Sequence, residues 1–99
     1  MDQLKMNDRI LTLHPTGKSG VNIERAKYDQ MKSAIIESLQ VVESIGFREL
    51  GKVVRSKLKG SFDGSISWYY TTVKLDLEAR GFIERIPNET PQMLRLRKH

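Results

Sequence analysis

Cysteine is absent from this 99-residue chain, and histidine occurs only as His14 and His99. The lack of thiols excludes a disulfide framework and a cysteine nucleophile, and it fits a reducing compartment. Two histidines supply too few nitrogen ligands for a structural zinc site. We therefore expect neither a metal nor another cofactor.

Long apolar runs are also missing. No stretch approaches the roughly 20 residues that cross a bilayer, and the first residues contain no hydrophobic signal core. Hydrophobic residues nevertheless make up 38% of the chain and charged residues 29%, which is enough apolar material for one small core. We expect a single soluble domain located in the cytoplasm.

Basic residues outnumber acidic ones only in the second half of the chain. Residues 1–46 contain six acidic and six basic residues, whereas residues 47–99 contain six acidic and eleven basic ones, which accounts for the net charge of +5. A basic excess in one half favours a polyanionic partner for that half. The alternative is that the charge serves solubility alone.

The spacing of apolar residues predicts three helices. Ile10, Leu11 and Leu13 indicate a short strand or arm followed by a loop, and Asn22 is expected to cap the first helix. That helix should run to about Val42, and a short extended segment at residues 45–47 should precede the second. The third should begin at a Ser65 or Asp63 cap, reach about Arg80 and end at Gly81. The expected core stripes are Tyr28, Met31, Ile35, Leu39 and Val42 in the first helix, Phe47, Leu50, Val54 and Leu58 in the second, and Ile66, Tyr70, Val73 and Leu77 in the third.

The end of the chain predicts a β-hairpin with its tip at Asn88. Residues 82–86 are rich in strand formers, and in residues 92–97 Leu94 and Leu96 alternate with charged side chains. Gly51 lies inside the second helix, where a glycine suggests close helix packing. The expected architecture is α+β, with residues 1–21 as an N-terminal arm and loop and residues 22–99 as a domain of three helices and a hairpin wing.

Two resemblances support this architecture. The segment Leu77–Arg85 resembles the junction between recognition helix and wing in bacterial winged-helix regulators related to the multiple-antibiotic-resistance repressor. The whole chain is similar to a small family of uncharacterised bacterial proteins, through the Leu13–Gly20 loop, the Lys27–Asp29 helix start and the Gly64–Leu77 segment. These resemblances imply a winged helix, and the uncharacterised family supplies no activity or site. The long flanking helices that build the regulators' dimer are missing, so we do not expect dimerisation by that route.

Enzyme motifs are incomplete. Gly17, Lys18 and Ser19 match the end of a phosphate-binding P-loop, but the glycine that this motif needs five positions before Gly17 is replaced by Thr12. His14 and Ser19 have no predicted orienting partner or oxyanion hole. Asp76 and Glu78 lie on different sides of a helix and are interpreted as solvated acids. We expect no catalytic activity.

The third helix carries the favoured functional hypothesis, which is binding of double-stranded DNA with transcriptional regulation as the implied role. Its side away from the core should enter the major groove. The expected contacts there are Ser67, Trp68, Thr71, Thr72 and Lys74, with phosphate contacts from Arg95, Arg97 and Lys98 in the wing strand and tail.

A protein-interaction module is the alternative. Trp68, Thr72, Leu75 and Ala79 recur at helical spacing and form a second, partly apolar stripe. Trp68 and Leu75 would then contact a second subunit or another protein, or the N-terminal apolar residues would cover the stripe.

Overall fold

The computed structural model describes residues 8–98, which form three helices and two small antiparallel sheets. The elements in chain order are β1 (Arg9–Leu11), β2 (Asn22–Glu24), α1 (Arg25–Gln40), β3 (Ile45–Gly46), α2 (Phe47–Leu58), α3 (Ile66–Ala79), β4 (Ile83–Arg85) and β5 (Met93–Leu96). The α+β class, the three helices and the hairpin are confirmed. His99, one of the two histidines weighed as metal ligands, lies outside the described residues.

The larger sheet joins the hairpin to the segment between α1 and α2. Its strand order is β3-β5-β4, so β5 is central and pairs antiparallel with both neighbours. Ile45 is opposite Leu94, and Ile83 is opposite Leu96. The short extended segment before α2 is therefore confirmed, and it is a strand of the same sheet as the hairpin.

The start of α1 differs from the expectation. Asn22 does not cap the helix, because residues 22–24 form β2, which pairs antiparallel with β1. The Asn22 side chain instead accepts a hydrogen bond from Arg9. Glu24 occupies the N-cap position, but its side chain makes no capping hydrogen bond, and the helix begins at Arg25.

The core lies between the three helices and the inner face of the larger sheet. The predicted stripes are confirmed for most members, since their side chains are almost fully buried. Phe47 and Ile66 are only partly buried against the core, and Val42 lies beyond the end of α1 and is 38% exposed. The buried residues from the stripes and the sheet are Tyr28, Met31, Ile35, Leu39, Leu50, Val54, Leu58, Tyr70, Val73, Leu77, Ile83 and Leu94.

Two glycines and one serine fix the position of α3. A Cβ on Gly51 would lie 3.0 Å from Cε2 of Tyr70, so the glycine permits the close approach of α2 to α3. Ser65 is the N-cap of α3, and its Oγ accepts a hydrogen bond from the amide of Trp68 at 3.2 Å. Gly81 has φ +84°, which confirms the left-handed end predicted for this helix.

Within residues 8–98, none of the helices is both long enough and apolar enough to cross a membrane.

Candidate nucleic-acid interface

An open groove lies between α2 and α3. Its volume is about 390 Å³. We call it the α2–α3 groove, and its walls are formed by Phe47, Arg48, Gly51, Lys52, Arg55, Ile66, Ser67, Tyr70 and Thr71. The floor is aromatic, since the rings of Phe47 and Tyr70 stack with centroids 5.0 Å apart. The Tyr70 hydroxyl donates a 2.6 Å hydrogen bond to the carbonyl of Phe47, which ties the two helices together beneath the groove.

Three cations of α2 line one wall of the groove. Arg48, Lys52 and Arg55 follow one another at steps of four and three residues, so they share a face of the helix. The opposite face is buried in the core, and all three residues are exposed. The ion pairs found among residues 8–98 involve none of them, and the lining of the groove contains no acidic residue. The wall therefore presents uncompensated positive charge.

The other wall is the N-terminal half of α3. Ser67 and Thr71, both predicted as DNA contacts, are exposed and line the groove opposite the cations. Arg55 donates a hydrogen bond from Nη2 to the Ser67 hydroxyl, so the two walls touch at this point. Trp68 lies beside them and is 46% exposed, with its ring packed edge-on against Tyr69 at a centroid distance of 4.9 Å.

Lys74 does not lie on the exposed face where the helical spacing placed it. It is buried, and its Nζ is 2.9 Å from Oε2 of Glu78 and 5.0 Å from the centroid of the Phe47 ring. The ammonium group is thus compensated inside the protein and is not presented to a ligand in this arrangement.

The C-terminal half of α3 is partly covered by the N-terminal loop. Thr72 and Leu75 line a small cavity of about 160 Å³, whose other walls come from residues 12–14 and 19–21. Both residues are half-buried, whereas Leu11 and Leu13 of the N-terminal apolar group remain largely exposed. The outward stripe of α3 is therefore divided, with Trp68 open at one end and Leu75 sheltered at the other.

Asp76 holds the N-terminal loop against α3, and its interpretation as a solvated acid is wrong. The carboxylate is fully buried and accepts hydrogen bonds from the Leu13 amide at 2.8 Å, from Arg80 Nε at 2.9 Å and from the Tyr28 hydroxyl. Arg80 also reaches the carbonyl of Leu11 at 3.4 Å. We call this group the Asp76 cluster.

The charges of the Asp76 cluster match its hydrogen bonds. Burial, followed by the hydrogen bond to Asp76, raises the pKa of Tyr28 above the ordinary value, so the phenol remains a donor. The hydrogen bond with Asp76 is also the main reason why the pKa of Arg80 is raised. The cluster is thus a charge-assisted connection between α1, α3 and the N-terminal loop.

The predicted hairpin contacts lie apart from the groove. Arg95, Arg97 and Lys98 line a separate cavity at the C-terminal end of α1, together with the acidic residues Glu43 and Glu84. Arg95 Nε is 2.6 Å from Glu84 Oε2, so its charge is compensated. Arg97 follows the end of β5, and its amide bonds to the Phe82 carbonyl beyond the end of α3. The groove lies beside Ser67 near the start of α3, whereas this hydrogen bond lies beyond Ala79, the last residue of the helix. Because a helix rises about 1.5 Å per residue, roughly 18 Å of helix separate Ser67 from Ala79.

Sequence reasoning missed the cations of α2. The four-and-three spacing of Arg48, Lys52 and Arg55 was visible, and it lies on the side opposite the predicted stripe of Leu50, Val54 and Leu58. Which residues of α3 this charged face would meet depends on the packing of the two helices. Among residues 8–98 there is no group of three or more His, Asp or Glu residues arranged to hold a metal ion.

Comparison with known families gives one match. A model described as a family of unknown function, DUF6958, matches residues 9–94, a range that contains the whole α2–α3 groove and the Asp76 cluster. Searches of curated proteins and of solved structures find no significant match.

Proposed function

We propose that this chain, which belongs to the DUF6958 family of unknown function, is a winged-helix domain that binds double-stranded DNA through the α2–α3 groove. Transcriptional regulation is the role that the resemblance to bacterial regulators implies. In this proposal α3 is the recognition helix and the β4–β5 hairpin is the wing.

The order and pairing of the elements support the winged-helix assignment. Three helices precede a hairpin, and the short strand β3 between α1 and α2 pairs with β5 in the order β3-β5-β4. This pairing anchors the base of the hairpin beside the start of α2. The left-handed Gly81 then directs the chain from the end of α3 into β4.

One observation carries the DNA proposal: uncompensated cations and exposed hydroxyls line the same groove. Arg48, Lys52 and Arg55 on α2 face Ser67 and Thr71 on α3. In helix-turn-helix proteins the recognition helix lies in the major groove while the preceding helix crosses the phosphate backbone. Cations on the preceding helix and short polar groups on the recognition helix fit this division.

The second candidate is a protein-interaction module that uses Trp68 and Leu75. The exposed ring of Trp68 favours it, because aromatic side chains are frequent anchors of interfaces. Leu75 gives less support, since the N-terminal loop shelters it.

The DNA proposal is tested by titrating a labelled random-sequence duplex at several salt concentrations. Binding should weaken as salt rises, because each neutralised phosphate releases counterions. The double substitution Arg48→Ala with Lys52→Ala should reduce the slope of log affinity against log salt by roughly 1.8, at about 0.9 per phosphate contact. Circular dichroism should remain that of the parent, since both side chains are exposed.

A matched control removes two cations from the other end of α2 without touching the groove. Lys57 and Lys59 are exposed and do not line the groove, so Lys57→Ala with Lys59→Ala should leave the salt slope close to that of the parent. If the salt slope falls by the same amount in both double variants, the groove is not the site of the phosphate contacts. A parent that shows no salt-dependent binding at low ionic strength would overturn the DNA proposal itself.

A further inference from the structure

We infer, on the basis of the proposed DNA binding, that the α2–α3 groove reads the phosphate backbone of a duplex and discriminates little between base sequences. The inference concerns the class of DNA bound: duplex of almost any sequence, in place of one operator site. It rests on what α3 exposes, on where the cations lie and on the composition of the hairpin tip.

The exposed face of α3 lacks the side chains that read bases most strongly. Arg, Asn and Gln can each make bidentate bonds to one base, and none of them occurs between Ile66 and Ala79. Lys74 is the only basic residue of the helix, and it is buried against Glu78. The exposed residues in the groove half of the helix are Ser67, Trp68 and Thr71. Hydroxyls accept from or donate to any base edge, so they carry little sequence information.

One of these three side chains, that of Ser67, already forms a hydrogen bond within the protein. Arg55 donates to the Ser67 hydroxyl, which occupies an acceptor site of that oxygen and fixes the arginine at the groove wall. The Tyr70 hydroxyl is also bonded, to the Phe47 carbonyl. Among the side-chain hydrogen bonds of residues 8–98, none involves the Thr71 hydroxyl. A single threonine supplies far less discrimination than the several base contacts of a specific site.

The cations are placed for phosphates. All three project from α2, the helix that precedes α3, and they lie along one face within the eight residues 48–55. A helix that crosses the backbone meets phosphates and not base edges. The loop at the tip of the hairpin, residues 86–92, contains Glu89 and no Lys or Arg, so it adds no cation that could enter a minor groove.

The experiment measures the unmodified protein on duplexes of equal length and composition whose base order is permuted, and on the best binder selected from a random pool. We expect the selected duplex to exceed its permuted versions by less than roughly a hundredfold, whereas specific DNA-binding proteins usually separate sites by 10³ or more. The salt slope should be the same for every duplex and approach about −2.7, the value for three phosphate contacts.

Two further results separate the inference from the proposal on which it rests. A selected sequence that binds a hundredfold or more tighter than its permuted versions would overturn the inference and leave duplex binding intact. Absence of salt-dependent binding to every duplex would overturn both. The variant Thr71→Ala provides an internal check: it should change the affinity for all duplexes by a similar factor, and a change confined to one sequence would contradict backbone reading.

Discussion

Asp76 combines full burial with three hydrogen-bonding partners on different parts of the chain. Tyr28 comes from α1, Arg80 from the end of α3 and Leu13 from the N-terminal loop. A buried carboxylate is tolerated only where such partners replace water. Removal of this one side chain therefore leaves a guanidinium, a phenol and an amide without their acceptor.

The substitution Asp76→Ala should lower the free energy of unfolding by about 1 to 3 kcal/mol, because the buried Tyr28 hydroxyl and the Leu13 amide lose their acceptor, while the Arg80 side chain, 32% exposed, can still be hydrated. Urea denaturation followed by circular dichroism measures the change. The control is Asp63→Ala, because the Asp63 side chain is 99% exposed and its only ion pair within residues 8–98, to Lys27, spans 3.9 Å. That variant should stay within about 0.5 kcal/mol of the parent. Equal midpoints for the two variants would show that the Asp76 cluster does not stabilise the fold.

Helices were easier to predict from the sequence than the strands and the buried charges. The stripe of α2 and the glycine that ends α3 depend on neighbours within the same segment, and both predictions were confirmed. Residues 22–24 form a strand only because β1 pairs with them, so the local pattern of Asn22 suggested a cap. The burial of Asp76 likewise depends on Tyr28, 48 residues away. Its four-residue spacing from Arg80 was the one local signal of a pair.

The candidate site shows the same division between local and long-range information. Helical spacing placed Ser67 and Thr71 on the exposed side of α3, where they are found. Spacing also placed Lys74 there, but the structure buries it beside Phe47, a residue from the start of α2. The cations of α2 become part of a site only through the packing that Gly51 allows against Tyr70. A single helix cannot reveal that contact.

The β4–β5 hairpin provides the test of the phosphate contacts that the sequence suggested. Replacing both Arg95 and Arg97 by Glu should weaken duplex binding less than the groove substitution Arg48→Glu with Lys52→Glu, which reverses the same amount of charge. The physical reason is position: the hairpin residues lie beside Glu43 and Glu84, and Arg95 is already paired. Each variant is checked by its melting temperature, because exposed charge changes usually alter stability by only about 0.5 kcal/mol.

The opposite order of affinity losses would contradict this prediction. If the hairpin variant loses more affinity than the groove variant while both stay folded, the main phosphate contacts are on the hairpin side. The α2–α3 groove would then lose its role in binding. Equal losses would indicate a response to net charge alone, which contradicts a localised contact in either place.

The large exposed apolar side chains are distributed over several elements of the molecule. Leu11 lies on β1, Val41 at the end of α1, Val53 on α2 and Trp68 on α3. A stable protein interface usually buries about 800 Å² on each partner and has an apolar centre. The stripe that would join Trp68 to Leu75 is interrupted where the N-terminal loop shelters Leu75. This distribution favours a monomer.

We therefore expect sedimentation equilibrium to give the mass of a single chain over a wide concentration range, and titration with a short duplex to give one protein per binding site. The double substitution Trp68→Ala with Leu75→Ala should leave the sedimenting mass unchanged. The opposite result is equally definite: a concentration-dependent dimer that this substitution converts to a folded monomer would identify the outward stripe of α3 as a subunit interface. Because aromatic anchors often dominate such interfaces, that outcome together with salt-independent or absent duplex binding would replace the DNA proposal by the interaction module.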